Sequence, residues 1–139
     1  MSTRSIAIPA WLRLVRVFQK VDHASVELLR QWDLSVAQFD VLVQVGNTEG
    51  MTQQQLADRL LVTKGNVCQL LDRMEQRQLL VRQQEGRANR IYLTEAGKSL
   101  RVEALPAQEQ LIERIFASVP RAEQSALLAS LRRLDHSLE

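Results

Sequence analysis

The chain has 139 residues and a formal net charge of +2, with 45% apolar residues but only 4% aromatic ones. That length suits one domain, or one small domain inside a dimer scaffold. No run of about 18 apolar residues occurs, which excludes a membrane-spanning helix. The start MSTRSIAIPAW lacks the continuous apolar stretch of a secretory signal. A single cysteine, Cys68, excludes an internal disulfide framework and fits a reducing cytoplasm. Over residues 59–101 nine Arg/Lys stand against four Asp/Glu, a local +5 that leaves −3 for the remainder. A basic middle between more acidic flanks is the footprint of a phosphate-binding element, although a solvated face gives the same imbalance.

Apolar residues at Trp11, Leu14, Val15, Phe18, Val21, Leu28, Leu29 and Trp32 predict a long helix over residues 9–32 with one broad apolar face. Pro9 is tolerated in its first turn. A second helix starts at Ser35, with Gln38 completing a capping box, and runs through Phe39, Val41, Leu42 and Val45. It is expected to stop at Gly46 and Asn47, residues that accept a left-handed C-cap. Thr52 opens a third helix, with Gln55 again at the capping-box position and Leu56, Ala57 and Leu60 facing inward. After a turn at Leu61 and Val62, Thr63 is expected to cap a fourth helix. That helix carries Val67, Leu70, Leu71 and Met74 at i, i+3, i+4 and i+7 on one side, and Lys64, Asn66, Gln69, Arg73 and Gln76 on the other.

Two short helices joined by a tight turn read as a helix-turn-helix. Ala57 is the small residue where the helices would cross, Val62 plugs the turn, and Val67 and Leu70 pack back. Leu61 stands where such turns often hold glycine, which implies mild strain or a different turn geometry. Residues 79–82 and 90–93 are short strand candidates around the polar loop QQEGRAN, with Gly86 for the turn. Arg82, Arg87 and Arg90 make this hairpin basic, and arginine at its tip suits a minor groove. Thr94 caps a fifth helix running to Phe116, which Pro106 should kink or divide. Pro120 can sit in the first turn of a sixth helix, where Leu127, Leu131, Leu134 and Leu138 form a short coiled-coil-like seam. Such a stripe at a chain end is most economically covered by a second copy. The expected fold is therefore mainly α with a small β-hairpin wing: a winged helix-turn-helix over residues 35–97, flanked by an N-terminal dimerisation helix over 1–34 and C-terminal dimerisation helices over 98–139.

The ordered string Leu56-Ala57, Val62-Thr63-Lys64-Gly65, Val67, Leu70-Leu71-Asp72-Arg73-Met74-Glu75, Leu79-Leu80-Val81-Arg82, Arg87-Ala88 and Ile91-Tyr92-Leu93-Thr94-Glu95-Ala96-Gly97 resembles the MarR family of bacterial transcriptional regulators. The likeness extends to the flanking helices. It implies a triangular homodimer whose terminal helices pair at the apex. The helix over residues 63–77 would enter the major groove of double-stranded DNA and the hairpin around Arg87 the flanking minor groove. It also implies a repressor of its own or a neighbouring operon, released when a small amphipathic or phenolic effector binds. Two departures stand out: the tip reads Glu85-Gly86-Arg87 in a shortened loop, and Gln78 replaces the glycine that usually precedes the first strand.

The expected DNA-contacting residues are Thr63, Lys64, Asn66, Gln69, Arg73, Arg87 and Arg90. Asn and Gln can pair bidentately with adenine and Lys with guanine; Arg73 can instead take a phosphate, or pair with Asp72 or Glu75. By resemblance an effector pocket lies among the first, second and fifth helices, with Trp11, Arg16, His23 and Phe39 as lining candidates; Trp11 and Phe39 equally suit an ordinary core. Cys68, in the second turn of its helix, fits either a thiol switch or a small buried or half-buried residue, and no second cysteine is present to resolve an oxidised thiol. His23 and His136 lie far apart, so no metal and no cofactor are expected. No nucleophile motif or phosphate loop supports an enzyme. The reading from a different class is a winged-helix protein-interaction or ligand-receptor module that binds no specific DNA.

Overall fold

The computed structural model describes residues 5–61 and 66–139. The chain divides into two compact units, residues 1–108 and 109–139, and the division falls within one helix. The first unit opens with α1 (Ala7–Leu29), followed by a short 3₁₀ turn over Arg30–Trp32. Then come α2 (Val36–Asn47), α3 (Gln53–Arg59), α4 (Val67–Gln76), β1 (Leu80–Glu85) and β2 (Ala88–Leu93). The helix α5 (Glu95–Phe116) contains the division, and α6 (Arg121–Ser137) lies in the second unit. Among the described residues no helix is long and apolar enough to cross a membrane.

The capping signals fall where the residue types place them. Ser35 Oγ accepts from Gln38 N at 3.0 Å while Gln38 Oε1 receives Ser35 N at 3.1 Å; Thr52 and Gln55 repeat the exchange at the head of α3. Each box satisfies amides that the first helical turn leaves without partners. Thr94 Oγ1 accepts from Gly97 N at 3.1 Å to open α5. The expected left-handed stop of α2 does not occur at Gly46 and Asn47, which are both helical. The left-handed residue is Gly50, at φ 84°. Gly46 lacks a side chain for another reason: a Cβ there would run into the Arg101 guanidinium, which donates to Asn47 Oδ1.

The core of the first unit joins every one of its elements. Leu29, Leu34, Val41, Leu42, Val45, Met51, Leu56, Leu71, Met74, Leu80, Ile91 and Ala104 are buried together, with Val67, Leu70 and Phe39 packed at the margin. Of the proposed helix-crossing positions, Val67 and Leu70 do pack back, but Ala57 is exposed. A seven-residue α3 presents little more than one inward side chain, and Leu56 supplies it. Pro106 does not divide α5, which continues to Phe116. In the second unit Gln124 Nε2 donates to the Phe116 and Val119 carbonyls, at 3.1 and 2.9 Å, and so closes the end of α5. Along α6, Leu127, Leu128, Leu134 and Leu138 are exposed.

The reversal from α4 into the hairpin is a Schellman turn. Leu79 N donates to Met74 O at 3.0 Å and Gln78 N to Glu75 O at 2.9 Å, with Gln78 at φ 60° and both Leu79 and Met74 buried. This is the position where glycine was expected from the family pattern, and Gln78 occupies it against the steric preference of an L side chain. The strands are longer than apolar content predicts, because Gln83, Gln84 and Glu85 pair with Arg90, Asn89 and Ala88. Arg82 then ties the hairpin to α4. Its Nη2 bonds Asp72 and reaches Glu75 Oε1 at 3.0 Å, and its backbone amide donates to Glu75 Oε2 at 3.1 Å. The Arg82 side-chain bond holds the Glu75 carboxyl below its ordinary value of 4.5.

Two outcomes follow. Gln78→Gly should raise the unfolding free energy by about 0.5–1 kcal/mol, read as a higher melting temperature, because it removes the left-handed penalty. Because the folded pKa of Glu75 is depressed, its contribution is complete above its unfolded value of 4.5 and is lost as pH falls below it. Glu75→Gln should therefore lower the melting temperature at pH 7 and flatten its decline in acid, with no difference from wild type once the carboxyl is protonated.

Candidate nucleic-acid interface

Among the described residues, the polar side of α4 and the tip of the hairpin both present exposed cationic or amide side chains next to regular backbone. On α4, Leu71 and Met74 face the core, which turns Gln69, Arg73 and Gln76 to solvent, all exposed. Among the described residues their side chains have no hydrogen-bond or ion-pair partner. Thr63 and Lys64 lie outside the described residues. Asn66 departs from the expected arrangement. It is the N-cap of α4, with its Oδ1 accepting from Gln69 N at 3.2 Å, so α4 starts at Val67 and not at Thr63. That oxygen is committed to the helix, and the bidentate pairing expected of Asn66 needs it free.

The approach to α4 is held from beneath by a residue that sequence reasoning passed over. Asp40 on α2 is only 7% exposed, and its Oδ2 accepts from Leu61 N at 2.7 Å. Leu60 ends α3 in an extended conformation (φ −67°, ψ 129°), and Leu61 itself is 80% exposed. The carboxylate thus satisfies the Leu61 amide, at the position where such turns often hold glycine. The one available signal was its position: Asp40 sits in the inward phase of α2, beside Val41 and Leu42.

The hairpin closes through Gly86 and Arg87. Gly86 takes φ 62°, and a left-handed first position suits a two-residue type II′ connection. Arg87 is exposed at the tip and, among the described residues, has no partner. Arg90 is placed differently from the expectation. Its Nη1 donates to Gly50 O at 2.8 Å and its Nε lies 3.2 Å from Glu85 Oε2, so its guanidinium is spent inside the protein. Glu85 Oε1 also accepts from Tyr92 Oη at 3.0 Å, which raises the tyrosine pKa by hydrogen bonding to its protonated form. The base of the hairpin is joined to the loop before α3. Gly50 N donates to Ile91 O and Ile91 N to Met51 O, both at 2.9 Å, and Glu49 Oε2 receives Leu93 N at 3.2 Å.

Folding commits most of the arginines of residues 59–101 to protein groups without changing their charge. Arg77, Arg82, Arg90 and Arg101 are bonded to protein groups, and Arg59 Nη1 donates to Thr48 Oγ1 at 3.1 Å. What the surface offers from this set is Arg73 on the helix and Arg87 on the hairpin, side chains that can meet phosphates or groove edges. The effector candidates are not gathered in the same way. Trp11, Arg16 and His23 are exposed along α1, with Trp11 at 59%, while Phe39 packs against the core. Trp11 is thus not a core residue of this chain. Cys68 is exposed, not half-buried, with Gln53 Nε2 2.8 Å from its sulfur.

The comparisons with known proteins agree with this geometry. A family model described as "MarR family" matches residues 32–91. An HTH-type transcriptional regulator of Bacillus cereus is 35% identical over 136 residues, covering 98% of this chain and 92% of the relative. A MarR family regulator from Silicibacter pomeroyi superposes with a TM-score of 0.83 at 25% identity, covering 98% of this chain and all of the other. The organohalide-sensing regulator RdhR, solved with 2,4-dichlorophenol bound, superposes with a TM-score of 0.84 at 23% identity over 97% of this chain and 82% of that one. A helix, turn and hairpin of this build, the family match over residues 32–91 and 35% identity to such a regulator over 98% of the chain place the protein in the MarR family of transcriptional regulators.

Proposed function

We propose that the protein is a homodimeric, sequence-specific repressor that binds a pseudo-palindromic operator and is released from it by a small amphipathic effector. The observation that carries the DNA-reading part is the contrast among its arginines: Arg77, Arg82 and Arg90 are bonded internally, while Arg73 and Arg87 stand exposed on the outer side of α4 and at the hairpin tip. In this reading α4 lies in the major groove with Gln69 at a base edge and Arg73 at a base or phosphate, and Thr63 and Lys64, which precede α4 in the sequence, are further contacts. Arg87 enters the adjacent minor groove, where negative potential is strongest. Asn66 and Arg90 act indirectly, the first by capping α4 and the second by holding the hairpin to Gly50.

Dimerisation is supported by apolar surface. Ile8, Trp11, Leu12 and Phe18 along the N-terminal half of α1 are each more than half exposed, and Leu134 and Leu138 on α6 likewise. Bare apolar side chains of this size, on each of the two units, are characteristic of surfaces covered by a partner. Two copies would place two α4 helices on successive major-groove faces, with half-sites about one helical turn apart. The effector draws on the phenolic ligand of RdhR and on the exposed Trp11, Arg16 and His23 along α1.

Light scattering at micromolar concentration should give the mass of two chains; a single-chain mass would overturn the dimer. Selection from random duplexes should enrich one palindromic sequence, and enrichment of none would favour the interaction-module reading. Against the selected duplex, Arg73→Ala and Arg87→Ala should each weaken binding and lower the slope of log affinity against log salt by about one, as expected for a lost phosphate contact.

A further inference from the structure

Arg77 stands one turn beyond Arg73 on the same helix, yet its guanidinium turns into the protein. Nη1 donates to Asp33 O at 2.6 Å and to Gln38 Oε1 at 3.3 Å, and Nη2 donates to Trp32 O at 3.2 Å. The acceptors lie at the junction between α1 and α2 and in the first turn of α2, a region braced by local bonds. Asp33 takes the left-handed conformation at φ 53°, with its amide on Arg30 O at 3.0 Å, and Leu34 N reaches Leu29 O at 3.2 Å. Gln38 Oε1 also receives Ser35 N at 3.1 Å as part of the capping box. The Trp32 and Asp33 carbonyls end a helical segment, where backbone oxygens lack helical partners and a cation is favoured by the helix dipole.

We infer that Arg77 is a positioning residue for DNA reading: it sets how the C-terminal end of α4 is anchored to the α1–α2 junction, and through that where Gln69 and Arg73 meet a duplex. The inference rests on the proposal that those two residues face DNA. Core contacts of Leu71 and Met74 hold α4 at its depth but are non-directional. The Arg82 bonds to Asp72 and Glu75 tie α4 to the hairpin. The three bonds of Arg77 add what neither provides, a directional link between the end of the reading helix and the helix pair behind it. A planar guanidinium spans three fixed oxygens in a way that an ammonium cannot.

The test uses the full chain and the duplex selected by the wild-type protein, with affinity followed by fluorescence anisotropy between about 50 and 200 mM salt. Arg77→Ala should bind about tenfold more weakly, the equivalent of one misplaced base contact, while keeping the wild-type salt slope. Arg77→Lys, which can reach one carbonyl, should recover part of the loss. Ala104→Gly, destabilised within α5 and away from the reading face, should keep wild-type affinity when assayed well below its melting transition. Wild-type affinity in a folded Arg77→Ala would overturn the inference, as would a slope lowered by about one, which would make Arg77 a phosphate contact. Equal weakening of Ala104→Gly would reduce the effect to general instability and overturn it too. If Arg77→Ala does not fold, Arg77→Gln takes its place with the same expected loss and the same overturning results. A wild-type chain that enriches no duplex would defeat the DNA-reading proposal itself, separately from any effect of Arg77.

Discussion

The turn that leaves α4 at Gln78 and Leu79 is the constraint on which the proposed DNA-reading surface depends. Within two residues the chain closes a helix, reverses and begins a strand, held by bonds to the Met74, Glu75, Gln78 and Leu79 carbonyls. Leu79 N closes α4 on Met74 O, and Leu79 O receives Thr94 N at 3.1 Å. Thr94 Oγ1 in turn donates to Gln78 O at 2.5 Å. Gly97 is required by the same crowding, since a Cβ there would collide with the Leu79 carbonyl. One turn therefore fixes the end of the reading helix, the base of the hairpin and the start of α5 relative to one another. Left-handed backbone at a glutamine costs about 1–2 kcal/mol, and this dense set of bonds is what sustains it.

Around that turn the arginines divide into two populations. Arg77 meets helix-end carbonyls, Arg82 meets two carboxylates, and Arg90 meets a loop carbonyl and Glu85. These bonds join α4 to the α1–α2 junction, α4 to the hairpin, and the hairpin to the loop before α3. Arg73 and Arg87 take no part in this and remain at the surface. The division has a physical logic. A guanidinium that has donated to fixed internal oxygens has little left for a phosphate, whereas an exposed one can exchange water for phosphate oxygens and release counterions. A frame rigid in its internal arginines is what lets a small number of exposed ones act in register.

Much of the fold was legible because its signals are local. Ser35 with Gln38, Thr52 with Gln55, and Thr94 before an apolar run each satisfy amides within one turn, so the residue types alone announce the helix starts. The i, i+3, i+4, i+7 spacing of Val67, Leu70, Leu71 and Met74 fixed which side of α4 is buried and hence which side is presented. What failed locally did so for identifiable reasons. Asn66 caps α4, a role its side chain fills at least as well as threonine, and Thr63 lies outside the described residues. The hairpin strands were read too short because Gln83 and Gln84 are stabilised by cross-strand pairing and not by burial.

The sequence by itself determined the helix order, the apolar faces, the capping and the family pattern, since these rest on contacts between residues a few positions apart. The tertiary structure decided which charges are available. Arg73, Arg77, Arg82, Arg87 and Arg90 are chemically identical in the chain, and only the approach of Asp33, Asp72, Glu75, Gly50 and Glu85, which folding places beside them, separates those that build the interface from those that can use it. The same holds for Asp40: its inward phase on α2 marks it as buried, but carries no sign of its bond to the Leu61 amide 21 residues away. Periodicity reports which side of an element is buried; it carries no information about which distant oxygen a long cationic side chain will find.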